Sequence, residues 1–371
     1  MDDLNQNPKL GSADRPNSYI GRSVPRERAK KLLEGKGKYV DDILLPRMVH
    51  LSYVRSPFAH AKIKSINTEN AKNIPGVLNV FTIDDIEKVC TPWQGVLGHL
   101  GEMRSPTQYP LAKDVVRWQG EPVAVVVANN RAVAEDALEL VEIDYEDLDA
   151  QLDMETAMDK STKVIHDDLG NNLFWTRTVN QGDVSEAFKQ SHIVEEVTLD
   201  FARHTGVTLE TRAIVADWDS SEERMTVYHN GQAPHMMQSI IAKHLNISEG
   251  LVRIISCDVG GSFGIKVHVY PDEMVTAAVS KLLKRPVKFV ADRLESYSTD
   301  IHSRCHKISG KIGVDDKGKI LAFEIDDLSG IGPFSVYPRT SAIETNQVLN
   351  LSAASYAVSY THLTLPTSDL V

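Results

Sequence analysis

Apolar residues along this chain fall into two alternating patterns, short runs of β type and stretches with helical period. In the first third, Met48 to Val54 and Pro122 to Ala128 predict strands, and Arg131 to Leu140 predicts a helix. The run Pro122-Val-Ala-Val-Val-Val-Ala128 is apolar throughout, as expected of a strand covered on both faces. Together these elements predict one compact α/β unit over residues 21–153. Over residues 154–180 the pattern dissolves into polar positions such as Glu155, Asp159, Lys160 and Ser161, followed by the turn-prone Gly170-Asn171-Asn172, which places a connection there.

Beyond the connection, Asp183 is set to cap a helix beginning at Val184, because its carboxylate can accept the first free backbone N–H groups. Strands are predicted at Glu195 to Phe201, Ala213 to Asp217, Thr226 to His229 and Leu251 to Cys257. Pro234 opens a helix with Met236, Met237, Ile240, Ile241 and Leu245 on one face. Asp272 to Lys284 predicts a second, amphipathic helix burying Met274, Ala278 and Leu282, which Pro286 ends ahead of a strand at Val287 to Ala291. The class is α/β (α+β), without a solenoid repeat.

Both ends read differently. Residues 1–20 are polar and carry Pro8, Gly11 and Pro16, the composition of a disordered tail. Residues 358–371, Val-Ser-Tyr-Thr-His-Leu-Thr-Leu-Pro-Thr-Ser-Asp-Leu-Val, look like a translated sequencing adapter and are left out of the fold reading, the alternative being a natural tail.

Charge narrows the function classes. A net charge of -11 with no basic stripe argues against a nucleic-acid partner. No secretory signal pattern and no bilayer-length apolar run is visible, so a cytoplasmic address without membrane insertion is the expectation. Cys90, Cys257 and Cys305 are odd in number and far apart, which fits a reducing compartment and leaves no set of four closely spaced thiolates for an iron–sulfur cluster. Any such electron acceptor belongs to another chain.

The densest chemical feature is Gly260-Gly261-Ser262-Phe263-Gly264-Ile265-Lys266 between a strand and a helix. Its glycines permit positive φ and close backbone approach, and its N–H groups are candidates for donation to anionic or oxo oxygens. It lacks both the dinucleotide spacing and the Gly-Lys-Ser/Thr ending of a phosphate loop, and a structural turn is an equal reading. Gln232, before the Pro234 helix, offers an amide donor and acceptor, or serves its own turn. Glu210 reads as a buried acid or as the partner of Arg212 or another base. His302, Cys305 and His306 have ligand-like spacing but no fourth ligand nearby, so a zinc site is rejected. His204, His229, His235 and His244 are scattered, and Cys257 reads as a packed small hydrophobe.

Taken in order, several motifs resemble the molybdenum-binding large subunit of the xanthine dehydrogenase, aldehyde oxidase and aerobic carbon monoxide dehydrogenase family. Gly37-Lys38-Tyr39-Val40-Asp41-Asp42-Ile43, Arg55-Ser56-Pro57-Phe58-Ala59-His60-Ala61, Pro75-Gly76-Val77 and Gly120-Glu121-Pro122-Val123-Ala124 resemble its a/b hammerhead domain. Gly182-Asp183-Val184, Leu209-Glu210, Gln232 and Gly260 to Lys266 resemble its first molybdopterin-binding domain. The resemblance implies a hammerhead domain over residues 21–153 and a truncated molybdopterin-binding domain over 181–357.

It further implies that Gln232 contacts an oxygen on molybdenum, and that Gly260, Gly261, Ser262, Phe263 and Gly264 lie against the cofactor. The implied cofactor is molybdopterin, in its cytosine dinucleotide form, with 2Fe-2S and FAD on partner subunits. The implied assembly joins this subunit to an iron–sulfur small subunit and an FAD-binding medium subunit as a dimer of heterotrimers. The implied reaction is oxidative hydroxylation of a small aldehyde, carbon monoxide or N-heterocycle. The family's catalytic glutamate and its substrate loop, which carries the copper-binding cysteine of carbon monoxide dehydrogenases, fall in sequence this chain does not contain. No catalytic residue is therefore named, and the chain alone is expected to be inactive. Val267 stands where purine-oxidising relatives carry glutamate, which argues against purines. A scaffold or assembly module, and a relative with a non-hydroxylating reaction, are the alternatives.

Overall fold

The computed structural model describes residues 25–26, 29–352, 356 and 360–368, and the tail expected to be disordered at 1–20 lies outside them. The chain separates into two units, residues 1–38 and 39–371. The first contains the short helix α1 (Ala29–Leu33), where Lys30 lies 3.7 Å from Glu34.

The second unit begins with β1 (Val49–Arg55), β2 (Ala61–Asn67), α2 (Glu69–Lys72), β3 (Val77–Phe81) and α3 (Ile83–Ile86). β4 (Val115–Val116), β5 (Pro122–Ala128), α4 (Arg131–Leu138) and β6 (Glu142–Asp147) follow. Asn130 caps α4 by accepting the Val133 N–H. After the connection come β7 (Leu173–Gln181), α5 (Val184–Lys189), β8 (Ile193–Phe201), β9 (Ala213–Asp219) and β10 (Arg224–His229). Asp183 caps α5 through the Glu186 N–H, as its sequence context predicts. The chain continues through α6 (Pro234–His244), β11 (Val252–Ser256), α7 (Pro271–Leu283), β12 (Val287–Val290) and α8 (Arg293–Thr299). It then forms β13 (His306–Val314), β14 (Ile320–Gly330), α9 (Ala342–Leu351) and β15 (Tyr360–Ser368).

One expectation changes here. The strands before residue 150 do not all stay together, because β1, β3 and β5 join β9 to β12 in one seven-stranded sheet ordered β11-β10-β9-β12-β1-β5-β3. The seam is the parallel pairing of β1 with β12, at Val49↔Val287 and His50↔Lys288. Only β4, β2 and β6 pair separately. The reason is visible in β5, whose Val125 and Val127 enter a core built with α6 and α7 while Ala124, Val126 and Ala128 face α4. A strand buried on both faces needs helices on both sides, and α6 and α7 come from the later half of the chain.

Helix α7 also departs from its predicted amphipathic character, since every residue from Asp272 to Ser280 is buried. It is the central helix of the larger core, and its polar residues are there because they have partners. Asp272 accepts a two-pronged ion pair from the fully buried Arg212, at 2.5 and 2.9 Å, and a third bond from Arg55 at 3.0 Å. Arg212 also donates to Asp300 at 2.6 Å and lies over the Tyr270 ring. Burial alone pushes the Asp272 carboxyl up, but Arg212 and then Arg55 outweigh it and hold the group below its usual range.

A second sheet has the order β7-β15-β14-β13-β8, with α9 packed across Trp175, Val179, Phe323 and Ile325 and α5 against Ala322 on the opposite face. β15 is drawn from the residues set aside as adapter-like. Its register with β14 runs from Ala322↔Tyr360 to Asp326↔Thr364 and resumes at Ser329↔Thr367. The interruption spans Pro366, which has no amide hydrogen to give a central ladder.

Two measurements test this packing. Arg212→Met leaves Asp272 and Asp300 buried without their shared cation and is expected to cost about 3–5 kcal/mol of stability, read by urea unfolding. Glu121 is buried, and desolvation pushes its carboxyl up to about 7 against the hydrogen bond it accepts from the Arg117 N–H. The folded state therefore holds a proton that the unfolded state releases, so stability falls as pH rises from about 4.5 to 7. Glu121→Gln is expected to remove on the order of 3 kcal/mol of that decline, seen as a flatter melting temperature between pH 5 and 8.

Candidate functional site

The glycine-rich loop leaves β11 and reaches α7 through a turn in which Gly261, Phe263 and Gly264 all have positive φ, at 100°, 50° and 90°. Two of the three are glycines, for which this region carries no steric cost. Phe263 has no such freedom, and its ring stands 77% exposed. A bulky residue in this region costs about 1–3 kcal/mol and persists only where its surroundings over-determine it.

Those surroundings are specific. Gln232, in the turn before α6, accepts the Gly264 N–H at 3.1 Å and the Ser262 hydroxyl on the same oxygen. A backbone N–H can only donate, so the amide oxygen must face the loop and the NH₂ must turn outward. Among the described residues that NH₂ has no protein partner. The Gln232 N–H in turn donates to the Lys266 carbonyl at 2.9 Å. The residues predicted for the site, Gln232 with Gly260, Gly261, Ser262, Phe263 and Gly264, are thus brought together in one small surface.

Glu210 does not pair with Arg212, which turns inward to Asp272 and Asp300. Its Oε2 instead accepts the Gly260 N–H at 2.7 Å and the buried Lys266 ammonium at 3.0 Å, while its own N–H donates to the Gly260 carbonyl at 3.0 Å. Burial lowers the Lys266 pKa, and the Glu210 carboxylate opposes that shift. The Glu210–Lys266 pair is the part of the site that reading the residues one by one misses. Its only signal was two opposite charges, one before the loop and one at its end.

Two of the loop glycines and three of its N–H groups serve the protein itself. A Cβ at Gly260 would sit 2.5 Å from the Glu210 Cβ, and one at Gly261 would sit 3.1 Å from the Phe263 ring. These glycines make room for the protein's own side chains, and only Gly264 faces open space. Three of the loop N–H groups are spent, since Gly260 gives to Glu210, Gly264 to Gln232 and Ile265 to the Ser262 carbonyl, while among the described residues those of Gly261, Ser262 and Phe263 have no protein acceptor. What remains to meet a ligand is these three N–H groups, the Gln232 NH₂, the Phe263 ring and the open flank of Gly264. An oxygen-rich group with a flat or apolar flank fits that set.

The other singled-out side chains lie elsewhere. His306 is on a strand and donates from its ring to the Asp327 carboxylate at 2.9 Å, His229 meets Glu273 at 3.1 Å, and His244 lies between Thr91 and Tyr337, each at 2.8 Å. Cys257 packs near Ala213, Val215 and Tyr228. A cleft of about 440 Å³ lined by His268, Arg339, Arg304 and Glu344 runs past Tyr270 and does not include Gln232 or Phe263.

Because Glu210 fills the space beside Gly260, Gly260→Ala is expected to force the loop off the Glu210 backbone at a cost of about 1–3 kcal/mol, measured by urea unfolding.

Comparison with known proteins gives the family of both domains. Residues 34–149 match the aldehyde oxidase and xanthine dehydrogenase a/b hammerhead domain, and residues 165–366, more than half the chain, match the molybdopterin cofactor-binding domain. The chain is 36% identical to the nicotine 6-hydroxylase large subunit of Paenarthrobacter nicotinovorans, over 91% of its own length and 41% of that protein's. It is 31% identical to the carbon monoxide dehydrogenase large chain of Afipia carboxidovorans, over 95% of its length and 44% of the relative's. The solved structure of quinoline 2-oxidoreductase from Pseudomonas putida 86 superposes with a TM-score of 0.92 at 30% identity, over 95% of this chain and 44% of that one. The chain thus spans less than half the length of these relatives, but 72% of the nicotinate dehydrogenase large molybdopterin subunit of Eubacterium barkeri, at 29% identity. With both domain types present in order, the chain belongs to the xanthine dehydrogenase, aldehyde oxidase and carbon monoxide dehydrogenase family of molybdenum-binding large subunits.

Proposed function

We propose that this chain supplies one wall of a molybdenum–molybdopterin site in a hydroxylase that oxidises a small aldehyde, carbon monoxide or N-heterocyclic substrate. The hammerhead domain of this reading covers residues 21–153, and the first molybdopterin-binding domain covers 181–357. When bound, the cofactor supplies the redox chemistry, and its electrons leave through 2Fe-2S and FAD groups on an iron–sulfur and a flavin subunit. The cytosine dinucleotide form, a cytoplasmic location and a dimer of heterotrimers belong to the same proposal.

The single observation that carries it is the Gln232 amide, fixed with its NH₂ outward beside the exposed Phe263 ring. A donor held in that orientation before ligand binds needs no reorganisation to meet an oxygen acceptor. Phe263 bounds the same surface and limits access of water to it. Val267, following the buried Lys266, offers no carboxylate on this side, which disfavours purines as substrates.

Scaffold-only and non-hydroxylating roles have no feature of the structure in their favour.

Gln232→Glu keeps an acceptor for the Gly264 N–H but replaces the outward donor with a carboxylate oxygen. In the purified enzyme with its partner subunits, the expected result is normal folding with turnover lowered about 10²-fold or more. Molybdenum content is measured alongside, and a wild-type enzyme that purifies with no molybdenum sinks the proposal.

A further inference from the structure

We infer that Glu210 is the positioning residue of this site: one oxygen of its carboxylate ties the two ends of the loop 260–266 together and so holds Phe263 and the Gln232 amide where a ligand meets them. The inference rests on the reading of that surface as the wall of a molybdopterin site.

The geometry is that of a clamp. Glu210 Oε2 takes the Gly260 N–H at the start of the loop and the Lys266 ammonium at its end, at 2.7 and 3.0 Å. Backbone pairing from the Glu210 N–H to the Gly260 carbonyl fixes the near jaw a second time. The far jaw continues into Gln232, because Lys266, held at its side chain by Glu210, accepts the Gln232 N–H on its carbonyl. Contact therefore runs unbroken from Glu210 through Lys266 to the amide that faces outward. Between the jaws lie the three residues with positive φ, including Phe263, for which this conformation is strained.

Glu210 is itself held from behind. Arg293 donates to the carbonyls of Thr208 and Leu209 at 2.7 and 2.9 Å, and the Thr208 hydroxyl donates to the Glu210 carbonyl at 2.6 Å. Gly206 lies under Phe263, where a Cβ would come within 3.0 Å of the Phe263 Cβ. The segment 206–210 is thus a backing plate for the loop, with the carboxylate as its point of attachment. A buried ion pair of purely structural value would stabilise the fold and leave the loop indifferent to how the charge is arranged. A clamp predicts that the loop itself responds.

The experiment compares the wild-type enzyme, purified with its partner subunits, with Glu210→Ala, Glu210→Gln and Lys266→Met. Amide hydrogen exchange over Gly260 to Lys266 and the Mo(V) electron paramagnetic resonance signal of the reduced enzyme are recorded. In Glu210→Ala the loop amides are expected to exchange about tenfold faster or more, with an altered signal, while β9 and α7 exchange as before. Glu210→Gln retains an acceptor for the Gly260 N–H and should bring both readouts part of the way back. If Glu210→Ala fails to accumulate, Lys266→Met should loosen the far end of the loop, and wild-type exchange there overturns the clamp. A molybdenum-loaded Glu210→Ala enzyme with unchanged exchange and signal overturns it as well. Wild-type enzyme without molybdenum overturns the ligand reading instead, and the exchange data still decide whether the clamp exists.

Discussion

The buried pair of Arg212 and Asp272 is the constraint on which the rest of this unit depends. Both groups are out of water, and each buried ion costs several kcal/mol in desolvation unless its partners are well placed. The partners are drawn from distant stretches of chain: Arg212 stands at the entry to β9, Asp272 near the start of α7, Asp300 just after α8 and Arg55 at the end of β1, where it also reaches Glu295 at 2.6 Å. No one of these elements can shift without leaving a buried charge short of a bond. The network therefore acts less as a source of net stability than as a selector of one arrangement, in which the first and second halves of the chain share a sheet.

That arrangement also sets the site. Arg212 lies two residues after Glu210, and Asp272 lies six residues after Lys266, so the ion pair in the core fixes the two segments whose outer ends form the clamp. Tyr270 links them once more, with its ring beneath the Arg212 guanidinium and its hydroxyl donating to the Ile265 carbonyl at 2.9 Å. Rigid core electrostatics are thus carried outward through a few residues to a loop that would otherwise be free to vary. The exposed Phe263 is held at positive φ by contacts that begin in the core.

Much of this was legible in the residues, and the parts that were not share a cause. Helix α4, strand β5 and the Asp183 cap depend on local periodicity and short-range hydrogen bonding, and the sequence carries those signals directly. The loop and Gln232 were legible because glycine spacing and an ordered set of family motifs pointed to them. The shared sheet was not, because strand pairing between β1 and β12 joins residues far apart in sequence and leaves no local pattern. The polar residues of α7 misled for the same reason: Asp272 and Glu273 look like a solvated face until Arg212 and His229 are known to lie opposite. Choosing Lys266 over Arg212 for Glu210 likewise required knowing which base the core had already claimed.

The charge behind the loop separates it from the glycine-rich loops that bind phosphate. A phosphate loop directs successive unspent N–H groups at an anion. Here, among the described residues, Gly261, Ser262 and Phe263 also keep their N–H groups unspent, but Gly260, Gly264 and Ile265 give theirs to Glu210, Gln232 and Ser262, and Glu210 places a negative charge behind the loop. Glycine at 260 accommodates that carboxylate, so it marks the closeness of protein to protein, not of protein to ligand. The Gln232 amide stands beside those free N–H groups, with its oxygen held by the loop and its NH₂ left over as a further donor. Such a surface offers hydrogen-bond donors next to a ring, one of them on a side chain whose orientation the loop determines.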